Sequence, residues 1–219
     1  FSILIFNHIL LCSAQKGVFF SEGNTKAKEI CITIDDGPSK NTAQLLDLLD
    51  KHKIKGTFFV LGVNADKYPE NAREILKRGH ELGSHLYHHT NYYRYKEPDI
   101  KQKISEHIQK MNSSLLAITG SETKLLRMPH GYSRQPAREA ARENGVFLIN
   151  WSFGYDWHKI SKEEMIKKYK AALKPGAVFL FHDAGTNAPM RLEVLEELIL
   201  HAKIEGYTFL TVSDMFNLK

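Results

Sequence analysis

Residues 32–38 read Ile-Thr-Ile-Asp-Asp-Gly-Pro, an apolar, β-rich run that ends in two adjacent carboxylates and a turn. Side chains alternate between two faces along a strand, and a strand that stops at Asp35 and Asp36 releases both carboxylates from that alternation. Both could then reach one site. Because two unpaired carboxylates repel each other, we expect one to bind a metal and the other, held by a cation, to remain free as a base. Taken alone, the stretch could also be a turn or helix cap.

Around this stretch the chain alternates between short apolar runs and longer segments with helical spacing, which is typical of α/β proteins with a parallel sheet or barrel. We predict seven strands, at residues 29–35, 56–61, 81–86, 124–128, 146–151, 177–182 and 208–212. Apolar residues at helical spacing predict the buried helix faces, namely Leu45, Leu48 and Leu49; Ala72, Ile75 and Leu76; Ile100, Ile104, Ile108, Met111 and Leu115; and Leu192, Leu195, Ile199 and Ala202. In such folds the carboxyl ends of the strands gather on the face that hosts catalytic groups.

The domain organisation follows from length and local composition. With 219 residues, 42% of them hydrophobic, the chain is long enough for one catalytic domain, which we place at residues 29–219. Residues 15–28 resemble a linker. Residues 1–14 are mostly apolar and end in Cys-Ser-Ala, which predicts a signal-peptide remnant or an N-terminal anchor. We therefore expect an extracytoplasmic protein that is secreted, periplasmic or associated with the cell envelope.

Charge and cysteine content narrow the classes of partner. The formal net charge is +5, but no block of Lys and Arg stands out, which argues against nucleic-acid binding. The excess of positive charge is compatible with peripheral association with a membrane or cell wall. We expect the protein to be a monomer. Cys31 lies in the first predicted strand, and we interpret it as a small buried residue rather than a nucleophile.

Three histidines follow the third predicted strand, in the run Gly-Ser-His-Leu-Tyr-His-His at residues 83–89. His85 and His89 are four residues apart and would face the same way on one helical turn. Together with Asp36 they would form a set of two histidines and one carboxylate, which leaves positions open for water and substrate as catalytic zinc sites require. His88 falls outside this spacing.

Further polar residues end the later strands. Arg127, at the end of the fourth predicted strand, could hold Asp35 through a charge-assisted hydrogen bond. The fifth predicted strand is followed by Asp156 among aromatic residues, and the sixth ends at His182. An acid there could orient the imidazole. Each segment alone could instead be core plus turn.

Taken together, these residues resemble the polysaccharide deacetylases of carbohydrate esterase family four, also called NodB-homology domains. Five ordered motifs cover residues 32–183, with Ile34 in place of the family's usual Phe and His130 in place of its usual aromatic residue. The resemblance implies a single-domain α/β fold, a distorted (β/α)7 TIM-like barrel. It also implies an enzyme, a metal-dependent hydrolase that acts on carbon–nitrogen bonds other than peptide bonds.

The resemblance assigns roles residue by residue. Asp35 would be the base, Arg127 its partner, His182 the acid and Asp156 the residue that orients it. The metal, Zn²⁺ or another divalent first-row ion such as Co²⁺, would be bound by Asp36, His85 and His89. The main-chain N–H of His130 would serve the oxyanion. Trp157, Leu180 and Tyr155 are the candidate contacts to substrate.

The predicted reaction is removal of acetyl groups from N-acetylglucosamine-type units of a polysaccharide, with peptidoglycan or a chitin-like oligomer as substrate. The same site would serve an esterase that removes O-acetyl groups from xylan, or an amidase for a small molecule. A carbohydrate-binding pseudoenzyme of the same fold is an alternative from another class, against which the complete catalytic set argues.

Overall fold

The computed structural model describes residues 19–23, 25–185 and 187–218, and a parallel sheet organises them. Within this part of the chain the sheet contains nine strands: β1 (Phe19–Phe20), β2 (Glu29–Gly37), β3 (Thr57–Val60), β4 (Glu81–Ser84), β5 (Leu125–Leu126), β6 (Phe147–Ile149), β7 (Phe153–Gly154), β8 (Val178–His182) and β9 (Thr208–Leu210). Their spatial order is β1-β6-β5-β4-β3-β2-β8-β7, and β9 also pairs with β2. All seven predicted strands are confirmed, with shorter bounds for most of them.

Helices connect the strands and cover the outer face of the curled sheet. They are α1 (Thr42–Lys51), α2 (Gly62–Lys67), α3 (Pro69–Lys77), α4 (Ile100–Thr119), α5 (Gln135–Glu143), α6 (Lys162–Ala171), α7 (Ala188–Ile204) and α8 (Val212–Phe216). The predicted single-domain α/β fold, a distorted TIM-like barrel, is confirmed. None of the helices in the described ranges has the length and apolar character needed to cross a membrane.

Alternation along β2 divides the core and fixes where Asp35 points. Ile30, Ile32 and Ile34 face outward and pack with residues of the covering helices, such as Leu49 and Leu195. Cys31 instead packs inside the curled sheet with Phe59 and Val178. Because side chains alternate along a strand, Thr33 and Asp35 share the inner face with Cys31. Cys31 is fully buried, as predicted, and burial raises the pKa of its thiol.

The segment predicted as a linker is partly wrong, because residues 19–23 belong to the folded domain. In β1, Phe19 and Phe20 pair in parallel register with Leu148 and Ile149 of β6. The Phe20 ring packs 4.7 Å from that of Phe216, and the Gly23 N–H donates to the Gly176 carbonyl. Strand pairing and the packing of two partly buried aromatic side chains override the polar composition of the segment. The predicted signal remnant at residues 1–14 lies outside the described residues.

Candidate active site

Asp35 is held inside the curled sheet by a buried arginine. The Arg127 side chain is fully buried, and its Nη1 donates to Asp35 Oδ1 at 2.7 Å and to Thr33 Oγ1 at 2.8 Å. Nη2 donates to the Asn150 carbonyl, and the guanidinium carbon lies 4.0 Å from the centroid of the Phe59 ring. Burial raises the pKa of Asp35, and the Arg127 charge and hydrogen bond oppose that rise. The predicted contact between Asp35 and Arg127 is present.

Asp36 turns away from this interior because the backbone changes hand at that residue. Its φ is +67°, and the pairing of β2 with β3 shifts register between Asp35 and Gly37. Asn64 Nδ2 donates to the Asp36 carbonyl at 2.7 Å and so holds the turn in place. Asp has a short polar side chain and tolerates the left-handed region better than most residues. The predicted escape from strict alternation therefore occurs, through a bulge rather than through the end of the strand.

The three predicted metal ligands lie together at the mouth of the sheet. Asp36 Oδ1 lies 3.5 Å from His85 Nε2 and 3.5 Å from His89 Nε2, and the three ligand atoms lie within 4.8 Å of one another. The prediction of a helical turn at residues 85–89 is wrong: both histidines lie on an irregular loop. Leu86, between them, has a φ of +64°, and this backbone change brings the rings together without helical spacing.

The protonation of His85 and the buried oxygen of Asp36 suit the binding of a divalent cation. His85 Nδ1 lies 2.8 Å from the Arg127 carbonyl, which can only accept, so Nδ1 carries the proton and Nε2 presents its lone pair. Burial lowers the pKa of His85 to about 3, so the ring is neutral. Asp36 Oδ1 is buried and has no hydrogen-bond partner within the described residues. Two imidazole nitrogens and one carboxylate oxygen are ligands that zinc and related ions prefer.

A second acid–imidazole pair faces Asp35 from the neighbouring strand. His182 is in parallel register with Asp35 across β2 and β8. Asp156 Oδ1 lies 2.7 Å from His182 Nδ1, and Asp156 Oδ2 accepts the His182 main-chain N–H at 2.8 Å. Burial lowers the pKa of the imidazole, but Asp156, with smaller contributions from Asp35 and Asp36, outweighs burial and raises it above the usual value. His182 can therefore act as an acid that Asp156 orients.

These groups line one cleft of about 310 Å³. Its walls are formed by Asp35, Asp36, His85, His89, His130, Trp151, Trp157, Leu180 and His182. His130 has a φ of +56°, and its ring lies edge-on to that of His89, with centroids 4.6 Å apart. Trp157 is half exposed and lies edge-on to His182, at 5.5 Å. The predicted positions of His130, Trp157 and Leu180 at the cleft agree with the structure.

Tyr155, predicted to contact substrate, does not line the cleft. Its ring stacks on His158 at 3.7 Å and packs near Phe153, and Lys168 Nζ lies 5.0 Å from the ring centroid. Its main-chain N–H donates to the Tyr169 hydroxyl. The residue thus faces the α6 side of the sheet, where its ring packs against the core that the sheet forms with the covering helices.

The sequence prediction missed two residues near the site. Trp151 lines the cleft, and its place at the end of the predicted strand 146–151 was a signal for it. Arg191 is buried on α7, where its Nε lies 3.6 Å from Asp156 Oδ2. Arg191 follows Ala188 by three residues and precedes Leu195 by four, so it occupies the apolar face of the helix. A charged residue on the otherwise apolar face of α7 was the sequence signal that could have identified Arg191.

Comparison with known proteins agrees with this geometry. The polysaccharide deacetylase family profile matches residues 22–149. The chain is 30% identical to a peptidoglycan-N-acetylglucosamine deacetylase of Bacillus cereus, covering 92% of this chain and 73% of that protein. It is 31% identical to the peptidoglycan-N-acetylmuramic acid deacetylase PdaA of Bacillus subtilis, covering 90% and 74%. The crystal structure of the Bc1960 peptidoglycan N-acetylglucosamine deacetylase superposes with a TM-score of 0.85 at 28% identity, covering 93% of this chain and 94% of that one.

Proposed function

The chain belongs to the polysaccharide deacetylase family, and on that premise we propose that it hydrolyses the acetamido group of N-acetylated sugars in peptidoglycan. Members of this family are hydrolases of N-acetyl groups, and two relatives are named for N-acetylglucosamine and N-acetylmuramic acid. The observation that carries the proposal is the convergence, in one cleft, of a ligand trio, an arginine-bound carboxylate and an imidazole oriented by an acid. Together they supply ligands for an electrophilic ion, a base for the attacking water and an acid for the leaving amine, which are the parts that metal-assisted hydrolysis of an amide uses.

Asp36, His85 and His89 would hold the metal, for which zinc is our proposal and cobalt an alternative that fits the same donors. When bound, such an ion supplies Lewis-acid polarisation of the acetyl carbonyl and makes a nearby water easier to deprotonate. The base, the acid and the oxyanion donor are supplied by this chain's own side chains and main-chain groups.

Asp35 is the proposed base. Its Oδ1 is occupied by Arg127, which leaves Oδ2 to accept the proton of the attacking water. The raised pKa brings this carboxylate closer to the working pH of a base, while the arginine limits how often it is protonated. Arg127 also fixes the orientation of the carboxylate, because the guanidinium itself is held by the Thr33 hydroxyl and the Asn150 carbonyl.

His182 is the proposed acid for the departing amine. Asp156 holds Nδ1, so Nε2 is the nitrogen that can present a proton to the cleft. The main-chain N–H of His130 is the proposed donor to the tetrahedral oxyanion, because the left-handed turn places this residue in the cleft wall beside His89. Trp157, Leu180 and Trp151 are the proposed contacts to the sugar and its acetyl methyl group.

Other activities remain alternatives for the same site. An O-acetyl xylan esterase would use the same groups on an ester, a small-molecule amidase would use them on a shorter substrate, and a chitin-like oligomer would present the same acetamide. A carbohydrate-binding pseudoenzyme is disfavoured because the described cleft has its base, its acid and all three ligand side chains in reach of one another.

The test is acetate release from peptidoglycan, chitin oligomers and acetylated xylan by the purified protein, with and without chelator. We expect release from peptidoglycan to dominate, to stop with chelator and to return when Zn²⁺ is added. Release from xylan alone would favour the esterase. No release from any substrate with metal bound would favour the pseudoenzyme.

We also propose that the protein acts outside the cytoplasm, because peptidoglycan lies there and residues 1–14 resemble an export signal. N-terminal sequencing of exported protein should begin near Gln15. Exported protein that still began at Phe1 would contradict cleavage.

A further inference from the structure

Arg191 is a buried cation that the proposed reaction does not use directly. Its side chain is only 11% exposed, on the face of α7 that packs beneath the loop after β8. Burial of an arginine is costly unless its donors are paired, so the partners of this guanidinium indicate what it does.

Those partners are Asp156 and the backbone at and just after His182, the proposed acid. Arg191 Nη1 donates to the main-chain carbonyls of His182, at 2.8 Å, and Ala184. Its Nε lies 3.6 Å from Asp156 Oδ2, the same oxygen that accepts the His182 main-chain N–H. One side chain thus reaches both the residue that orients the imidazole and the backbone that carries it.

Ala184 and Gly185, which follow β8, lie against this guanidinium. Gly185 has a φ of +110°, and a Cβ at that position would lie 2.7 Å from Arg191 Nη2. A side chain at this position would have to displace the end of the guanidinium, and the positive φ independently favours glycine. Nε has no hydrogen-bond partner within the described ranges, so a small shift toward Asp156 would complete a further bond.

We propose that Arg191 is a positioning residue, which clamps Asp156 and the 182–184 backbone so that the His182 imidazole keeps its aim into the cleft. The proposal rests on the proposed deacetylase function, in which His182 is the acid. It extends that function by adding a third member to the pair formed by Asp156 and His182. The cation acts through Asp156 and the backbone and does not touch substrate.

Arginine geometry is what the clamp requires. A guanidinium presents several donors in a fixed plane, whereas a lysine ammonium is a single point charge on a flexible stem. Arg191→Lys therefore keeps the charge but loses the simultaneous contacts, and Arg191→Met keeps much of the volume and loses both. Lys203 on the same helix donates to the His52 carbonyl, and Lys203→Met is the matched control.

The first readout is steady-state kinetics of acetate release. We expect Arg191→Met to lower kcat by up to about 100-fold, with KM changed less than about twofold, because a misplaced reacting group impairs the chemical step more than binding. Arg191→Lys should recover part of the loss, and Lys203→Met should keep the parental kcat. Parental kcat in folded Arg191→Met protein, judged by its melting temperature, would overturn the proposal.

The second readout does not depend on activity. In the parent protein, the proton shared by His182 Nδ1 and Asp156 should give a low-field ¹H NMR signal, assigned by its absence in His182→Gln. We expect the signal to move upfield or vanish in Arg191→Met and to persist in Lys203→Met. An unchanged signal in Arg191→Met, or in Arg191→Lys if the first variant does not fold, would show a merely structural role. An inactive parent that still showed the change would count against the reaction and in favour of the clamp.

Discussion

Asp35 and Asp36 are adjacent in sequence, yet they belong to two regions of the cleft with opposite character. Asp35 is 2% exposed and bonded to a fully buried arginine, inside the sheet. Asp36 is 25% exposed at its side chain and lies with His85 and His89 on irregular backbone, with a buried oxygen that has no partner within the described residues. The bulge at Asp36 produces the difference.

The comparison shows how one strand end supplies two kinds of chemistry. In the interior, regular strand alternation and a network of hydrogen bonds hold the base ready before any ligand binds. At the mouth, positive φ values at Asp36 and Leu86 gather three lone pairs that a cation would satisfy. The polar groups around Asp35 are therefore paired within the chain itself, whereas the lone pairs of Asp36, His85 and His89 would be satisfied by a bound cation.

The largest expected effect comes from breaking the interior pair. Arg127→Met leaves the Asp35 carboxylate buried without its cation, and loss of one partner of a buried pair costs about 3–5 kcal/mol of unfolding free energy. Chemical denaturation would measure it. The double variant with Asp35→Asn should recover part of the loss, and Arg142→Met, at an exposed position of α5, should change little. Equal losses in the single and double variants would contradict the account.

Asp35→Asn keeps the size of the side chain but cannot accept a proton from water. We expect kcat to fall roughly 10²- to 10⁴-fold, the range for loss of a general base. Acetate release at saturating metal is the measurement. Activity within a few-fold of the parent would mean that another group takes the proton.

The pair formed by Asp156 and His182 predicts a shift in the pH dependence of activity. Asp156 raises the pKa of His182, so the protonated acid persists to higher pH and activity should fall as pH rises through that pKa. In Asp156→Asn the carboxylate charge is lost and the pKa falls, so the alkaline limb of kcat/KM should move down by roughly one to two pH units. An upward shift or an unmoved limb would show that Asp156 does not act on His182.

The smallest expected effect concerns Trp157, the half-exposed aromatic residue of the cleft wall. Trp157→Ala removes a half-exposed ring beside His182 and should raise KM for oligosaccharides roughly 3- to 10-fold, consistent with the modest energy of one aromatic contact. Tyr155→Ala is the matched control, because it also removes a ring but at a position outside the cleft, and the folded variant should leave KM unchanged. The reverse pattern would restore Tyr155 as the sugar contact.

Local patterns predicted the parallel fold, its seven main strands and the trio of ligands, because five of the seven predicted strands carry polar site residues at or just after their carboxyl ends. They did not predict backbone irregularity. The loop between His85 and His89 depends on the positive φ at Leu86, and β1 forms because the sheet offers β6 as a partner for Phe19 and Phe20. The inward position of Arg191 and the outward turn of Tyr155 likewise depend on tertiary packing, which spacing alone does not specify.

Calorimetric titration of Zn²⁺ into the metal-free parent, Asp35→Asn and Asp36→Asn proteins separates the tasks of the two adjacent carboxylates. Asparagine tolerates the left-handed backbone at residue 36, so that variant should fold. We predict that Asp35→Asn binds zinc as the parent does, whereas Asp36→Asn binds at least roughly tenfold more weakly because an anionic ligand is lost. Weak binding by Asp35→Asn together with parental binding by Asp36→Asn would contradict the account.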